Sequence, residues 1–181
     1  QTLRKQGRIV AFVDLEAQTA VQDFDSVEMH LAALSEVLAE AERSGAKVSP
    51  ETLQACRAWL DRVESREDTP AEPRSIIASL RRQLSLVRGD SGLREEMRQI
   101  VREVREDELF DCLSQALRDL ADRRPVVILD GLDKLPPVRA GETFLNDKKK
   151  PMAEANGAAI LTIPLSVVYE PTFNLLSERY N

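Results

Sequence analysis

Three short, apolar, β-branched runs constrain this chain most, and helical pattern fills the distance between the first two. The runs span residues 8–15 (RIVAFVDL), 125–130 (PVVILD) and 158–163 (AAILTI). Each is nearly continuous in apolar residues instead of alternating. That pattern predicts strands covered on both faces, as in a parallel α/β sheet. Roughly a hundred residues separate the first run from the second, and their periodicity is helical. The expected architecture is α/β: a partial, parallel three-stranded sheet with a large helical insertion over about 25–121 between its first two strands. A strand, a crossover and a parallel strand in one sheet connect with right-handed sense almost without exception.

Five helices are predicted in the insertion. The first opens at Asp25, with Glu28 three positions on as a capping box, and Gly45 ends it. Val27, Leu31, Leu34, Val37, Leu38 and Ala41 form its apolar face. The second has Ser49 as N-cap and Pro50 in its first turn, with Leu53, Cys56, Trp59, Leu60 and Val63 repeating at helical spacing. Residues 64–75 carry charge, two prolines and no period, and read as an exposed linker. The third helix carries Ile76, Ile77, Leu80, Leu84 and Val87. The fourth carries Leu93, Met97, Ile100, Val101 and Val104, and the fifth Leu109, Leu113, Ala116, Leu117 and Leu120. The turn Gly89-Asp90-Ser91-Gly92 reads as a plain loop.

With 181 residues, a net charge of −6, 43% hydrophobic and 31% charged residues, the chain has the balance of a soluble globular domain. No apolar run approaches the ~20 residues that span a bilayer, and no signal peptide is evident. The expected setting is therefore cytoplasmic, with no membrane partner. Cys56 and Cys112 read as buried free thiols in a reducing compartment, and the lone His30 lacks the partners of a zinc site. Both ends read as cuts through a longer protein, and the sequence near Gly141-Glu142 reads as a join with residues missing. The Lys148–Lys150 run reads as a solvated face.

Chemistry concentrates in Val126-Val127-Ile128-Leu129-Asp130-Gly131-Leu132-Asp133-Lys134-Leu135. A dry strand ending in Asp delivers a carboxylate to the carboxyl edge of the sheet, where open α/β sheets bind ligands. A buried carboxylate needs a cation or a donor. Magnesium takes only one or two protein carboxylates besides water and phosphate, a role that suits Asp130. Asp133 is placed to orient or deprotonate an attacking water. Thr162 is polar within the third strand and is either a site residue or a β-branched filler whose hydroxyl bonds the backbone. The plain alternative for Asp130-Gly131 is a turn, which both residue types favour.

The run VVILDGLDKL resembles the Walker B strand of STAND-type ATPases, a branch of the AAA+-like P-loop NTPases. Residues 159–166 (AILTIPLS) look like that family's next strand, whose polar residue senses the γ-phosphate. IVAFVDLE looks like the strand after the phosphate-loop helix, and the stretch with Arg94 and Arg98 is similar to bacterial members. The resemblance covers most of the chain, but only the Walker B run is specific. It implies Mg2+ and ATP as cofactors, with Asp130 as the magnesium-handling and nucleotide-binding residue and Asp133 and Thr162 as catalytic positions. It also implies a homo-oligomer or a fused effector domain, as in multidomain signalling or antiviral defence ATPases.

The sequence departs from the family in having no G-x-x-x-x-G-K-[ST] loop. By the resemblance that loop lies upstream of Gln1, and the chain alone is expected to bind ATP weakly and to be inactive. Gly131 follows Asp130 where many active members place Glu. The alternative is thus a module that binds nucleotide without hydrolysis, as a structural or oligomerisation clamp. Nucleic acid is not expected as a partner, since the charge is acidic and arginines interleave with glutamates. A basic patch of Arg81, Arg82, Arg88, Arg94 and Arg98 would reverse that expectation.

Overall fold

The computed structural model describes residues 2–19, 24–66, 75–89, 91–134 and 155–162. Three parallel strands form one sheet in the order β1 (Val10–Asp14), β2 (Val126–Asp130), β3 (Ala158–Leu161). Seven helices accompany them among the described residues: α1 (Thr2–Lys5), α2 (Leu15–Gln18), α3 (Ser26–Ser44), α4 (Pro50–Glu64), α5 (Ile76–Gly89), α6 (Ser91–Glu103) and α7 (Glu106–Asp119). The expected α/β class, the parallel sheet and the helical insertion between its first two strands are all present. The Gly141–Glu142 join, the Lys148–Lys150 run and Ile163 lie outside the described residues.

Local chemistry sets the helix ends. The Asp25 backbone N–H donates to Glu28 Oε2 at 3.1 Å, one arm of the capping box. Gly45 closes α3 in the left-handed region at φ 67°. Ser49 caps α4, its hydroxyl accepting from the Thr52 backbone N–H at 3.1 Å, and Pro50 occupies the first turn. Ser75 does the same for α5 through the Ala78 N–H.

Helix α3 is central. It packs against α5, α7 and β1, and from Ser26 to Ala41 every residue except Glu36 is buried. Its predicted apolar face is buried, and so are the polar Glu28, His30, Ser35 and Glu40. Buried charge there is matched by a partner. Arg98 of α6 donates to Glu28 Oε1 from Nε at 3.0 Å and from Nη2 at 2.7 Å. Arg4 of α1 reaches Glu40 at 3.1 Å. His30 stacks edge-on against Phe110 of α7, with ring centroids 5.3 Å apart.

Three expectations are corrected. Leu93 is 48% exposed. The inner face of α6 is instead Arg94, Met97, Arg98, Ile100 and Val101, because two arginines bury their stems and bond inward. Glu64 is not linker but the buried last residue of α4, paired with Arg57 at 3.1 Å; residues 67–74 lie outside the described part. The sheet, among the described residues, is covered fully on one face only. Ala11, Val13, Val127 and Leu129 are buried, whereas Phe12 is 45% and Ile160 49% exposed. Phe12, Ile128 and Ile160 are register partners and therefore share the open face.

Candidate functional site at the carboxyl edge of the sheet

The register determines what meets at the carboxyl edge. Asp14 is the partner of Asp130 across β1 and β2, so adjacent parallel strands end in carboxylates at the same level. Thr162 follows β3 directly and hydrogen-bonds back to β2, its N–H donating to the Leu129 carbonyl at 3.1 Å. Asp130, between two neighbours, is half-buried, while Asp14 on the outer strand is exposed.

The turn after β2 is held from two sides. The Gly131 backbone N–H donates to Asp130 Oδ1 at 3.1 Å and to Thr162 Oγ1 at 3.0 Å. The Thr162 hydroxyl in turn donates to the Leu129 carbonyl at 3.4 Å. Gly131 has φ +96°, a region that side chains other than glycine's rarely adopt. An added Cβ would lie 3.5 Å from the Glu16 backbone N and 3.6 Å from Leu15 Cβ, ordinary contact distances, so backbone conformation dictates the glycine. Thr162 thus has the backbone-bonding role open to it from the sequence. It positions the Asp130–Gly131 turn, and its hydroxyl is engaged in doing so.

Asp14 caps the start of α2, its Oδ1 accepting from the Ala17 N–H at 3.1 Å. Asp133 is exposed on the short turn Leu132–Lys134, whose Leu132 is buried; no hydrogen bond joins it to Asp130 among the described residues. Lys134, one residue on, pairs with Glu16 of α2 across the edge. The hydrogen bond that Lys134 donates to Glu16 raises its ammonium above its ordinary value, and the charges of Asp133 and Asp130 act in the same direction. Among the described residues the edge is therefore acidic, with Asp14, Glu16, Asp130 and Asp133 accompanied by the Lys134 ammonium.

Asp130, Gly131 and Thr162 are brought together; Asp133 is nearby in chain but turned to solvent. Asp14, Glu16 and Lys134 were not singled out as site residues from the sequence. For Asp14 the signal existed, since the first and second strands both end in Asp at the same offset.

The donor set fits a hard cation only in part. Among the described residues no three His, Cys, Asp or Glu side chains gather closely enough to hold a metal ion by themselves. Asp130 Oδ1 is bonded to Gly131, and its other carboxylate oxygen has no protein donor among the described residues. One open carboxylate oxygen suits magnesium, which completes its shell with water and phosphate, but would not suit calcium or zinc.

Elsewhere, the five arginines whose clustering would have pointed to nucleic acid are not all presented as one exposed patch. Arg94 and Arg98 are buried, Arg94 Nε donating to the Val87 carbonyl at 2.7 Å, and Arg81 reaches Glu36 at 3.4 Å. No helix among the described residues is long and apolar enough to cross a membrane. No protein-family model, curated protein or solved structure matches the chain.

Proposed function

We propose that this chain forms part of the nucleotide-handling core of a P-loop ATPase of the STAND or AAA+-like kind, with Asp130 handling Mg2+ at the carboxyl edge of the sheet. One observation carries the reading. The central described strand delivers a half-buried carboxylate, paired with no arginine or lysine among the described residues, between Asp14 and Thr162 at the edge where α/β sheets bind ligands. Magnesium bound there would neutralise phosphate charge. The chain's own residues contribute as follows: Asp130 presents an oxygen, Gly131 and Thr162 fix its direction, and Asp14 adds negative potential beside it.

A second reading, a nucleotide clamp without hydrolysis, is favoured by the position of Asp133. A residue that deprotonates water must reach the reacting atoms, and Asp133 lies on an exposed turn with Lys134 and Glu16 paired beside it. In both readings nucleotide occupancy would govern assembly or an attached effector, which fits signalling or defence.

The test is titration with a fluorescent ATP analogue, with and without Mg2+, on the longest native polypeptide carrying this chain. Magnesium-dependent binding should weaken at least about tenfold in Asp130→Asn, a loss of ~1.4 kcal/mol, and stay unchanged in Asp122→Asn on the exposed turn before β2. Equal affinity of Asp130→Asn and the parent would refute the assignment. Magnesium-dependent binding with no turnover in the parent would favour the clamp, whereas turnover unchanged in Asp133→Asn would remove Asp133 from the mechanism and count against the clamp.

A further inference from the structure

Away from the sheet edge, helices α4 and α7 pack against each other and leave a pocket of about 380 Å³ along their interface, a size that admits a small organic molecule. Ala55 and Trp59 of α4 and Cys112 of α7 give it apolar lining. Glu51 of α4 and Glu108 and Asp111 of α7 add three carboxylates, and no basic side chain lines it among the described residues.

Two independent observations say what such a pocket would take. The first is Trp59. It is 1% exposed, and its buried Nε1–H has no hydrogen-bond partner among the described residues. An indole N–H can only donate, and a buried donor left unpaired is costly, so this lining calls for an acceptor. The second is the sign of the charge. Of the three carboxylates, Glu108 is paired with Arg62, which stands outside the lining, and Glu51 is exposed. The neighbouring neutral groups are already engaged. The Thr52 hydroxyl donates to Asp119 Oδ2 at 2.7 Å, Gln115 Nε2 donates to Asp119 Oδ1 at 3.0 Å, and Asp119 Oδ2 also accepts from the Ser49 N–H at 3.0 Å. These bonds tie α7 to the start of α4 beside the pocket, so its walls are held without a ligand.

We propose that this pocket binds a small organic cation that carries a neutral oxygen: the oxygen accepts from Trp59 Nε1–H, and the ammonium is held by Glu51, Glu108 and Asp111. An anionic acceptor would meet three like charges, so the oxygen belongs to an amide, ester or hydroxyl and not to a carboxylate. Amino-acid amides and amino alcohols have both groups. The inference is independent of any role for Asp130.

Trp59 is the only tryptophan of the chain, so its indole N–H gives a single signal in heteronuclear NMR. Titration of the unmutated chain with L-leucinamide, which joins an ammonium, an amide oxygen and an apolar side chain, tests the proposal. The expected result is a saturable downfield shift of the indole proton as the new hydrogen bond forms. N-acetyl-L-leucinamide, which lacks the charge, and isoamylamine, which lacks the oxygen, should each bind at least about tenfold more weakly. In Glu51→Gln/Asp111→Asn, leucinamide should weaken by a similar factor. The proposal is overturned if leucinamide leaves the indole signal in place, or if the acetylated amide binds as tightly as leucinamide. A titration midpoint unchanged in Glu51→Gln/Asp111→Asn overturns it as well. The ligand series on the unmutated chain decides the matter even where that variant does not fold.

Discussion

Replacing Arg98 by Met removes the cation paired with Glu28, a buried carboxylate of the helical layer. Arg98 and Glu28 are both nearly inaccessible, and Arg98 makes two hydrogen bonds to Glu28 Oε1 while Glu28 Oε2 accepts from the Asp25 N–H. Breaking such a pair on one side strands the other charge and costs about 3–5 kcal/mol, a large part of the 5–15 kcal/mol that domains of this size possess. The loss should depend on pH. Burial already pushes the Glu28 carboxyl from 4.5 up to about 7, against the lowering effect of Arg98. A folded-state value above the unfolded one means that stability is fully present below about 4.5 and declines as pH rises towards about 7. Without Arg98 the carboxyl rises further, so the decline steepens and extends to higher pH. Urea unfolding followed by far-UV circular dichroism between pH 5 and 8 measures this. Arg98→Met should be weakest at pH 8 and approach the parent at pH 5. The double variant Glu28→Gln/Arg98→Met, which keeps an acceptor for the Asp25 N–H, should recover most of the loss. A deficit below about 1 kcal/mol at pH 8, or one unchanged across the range, would refute the reasoning.

At the sheet edge, Thr162→Val should cost about 1–2 kcal/mol, because the hydroxyl that accepts from Gly131 and donates to Leu129 is lost at nearly constant volume; thermal unfolding measures it. Gly131→Ala should cost a further ~1–2 kcal/mol through its positive φ, and nucleotide binding should fall with it as the Asp130 turn shifts. If Gly131→Ala has the parent's unfolding midpoint, the turn does not hold the conformation described.

Much of the fold was legible because it was written locally. Asp25 with Glu28, Ser49 with Pro50 and Gly45 mark helix ends by hydrogen bonds within four residues, and three β-branched runs mark the strands. What escaped the sequence depended on partners far away in the chain. Arg94 and Arg98 look like the solvated side of α6 until the Val87 carbonyl and Glu28, the latter 70 residues earlier, are seen to receive them. Glu28 and Glu40 look like the wet side of an amphipathic helix until α3 is found enclosed by β1, α5 and α7. The site shows the same division. Asp130 at the end of a strand could be read directly, whereas the Asp14–Asp130 pairing and the Thr162–Gly131 bond arise from register, which no single strand's sequence states.

If the carboxyl edge meets a metal-bound triphosphate as proposed, the Gly131 amide, which donates to Asp130, reports that meeting. Paramagnetic broadening of backbone amide signals by Mn2+ with ATP locates the ion directly by NMR. The account predicts selective broadening of Gly131, Asp130 and Thr162 that disappears in Asp130→Asn. Broadening centred elsewhere, or none at these three residues, would contradict it.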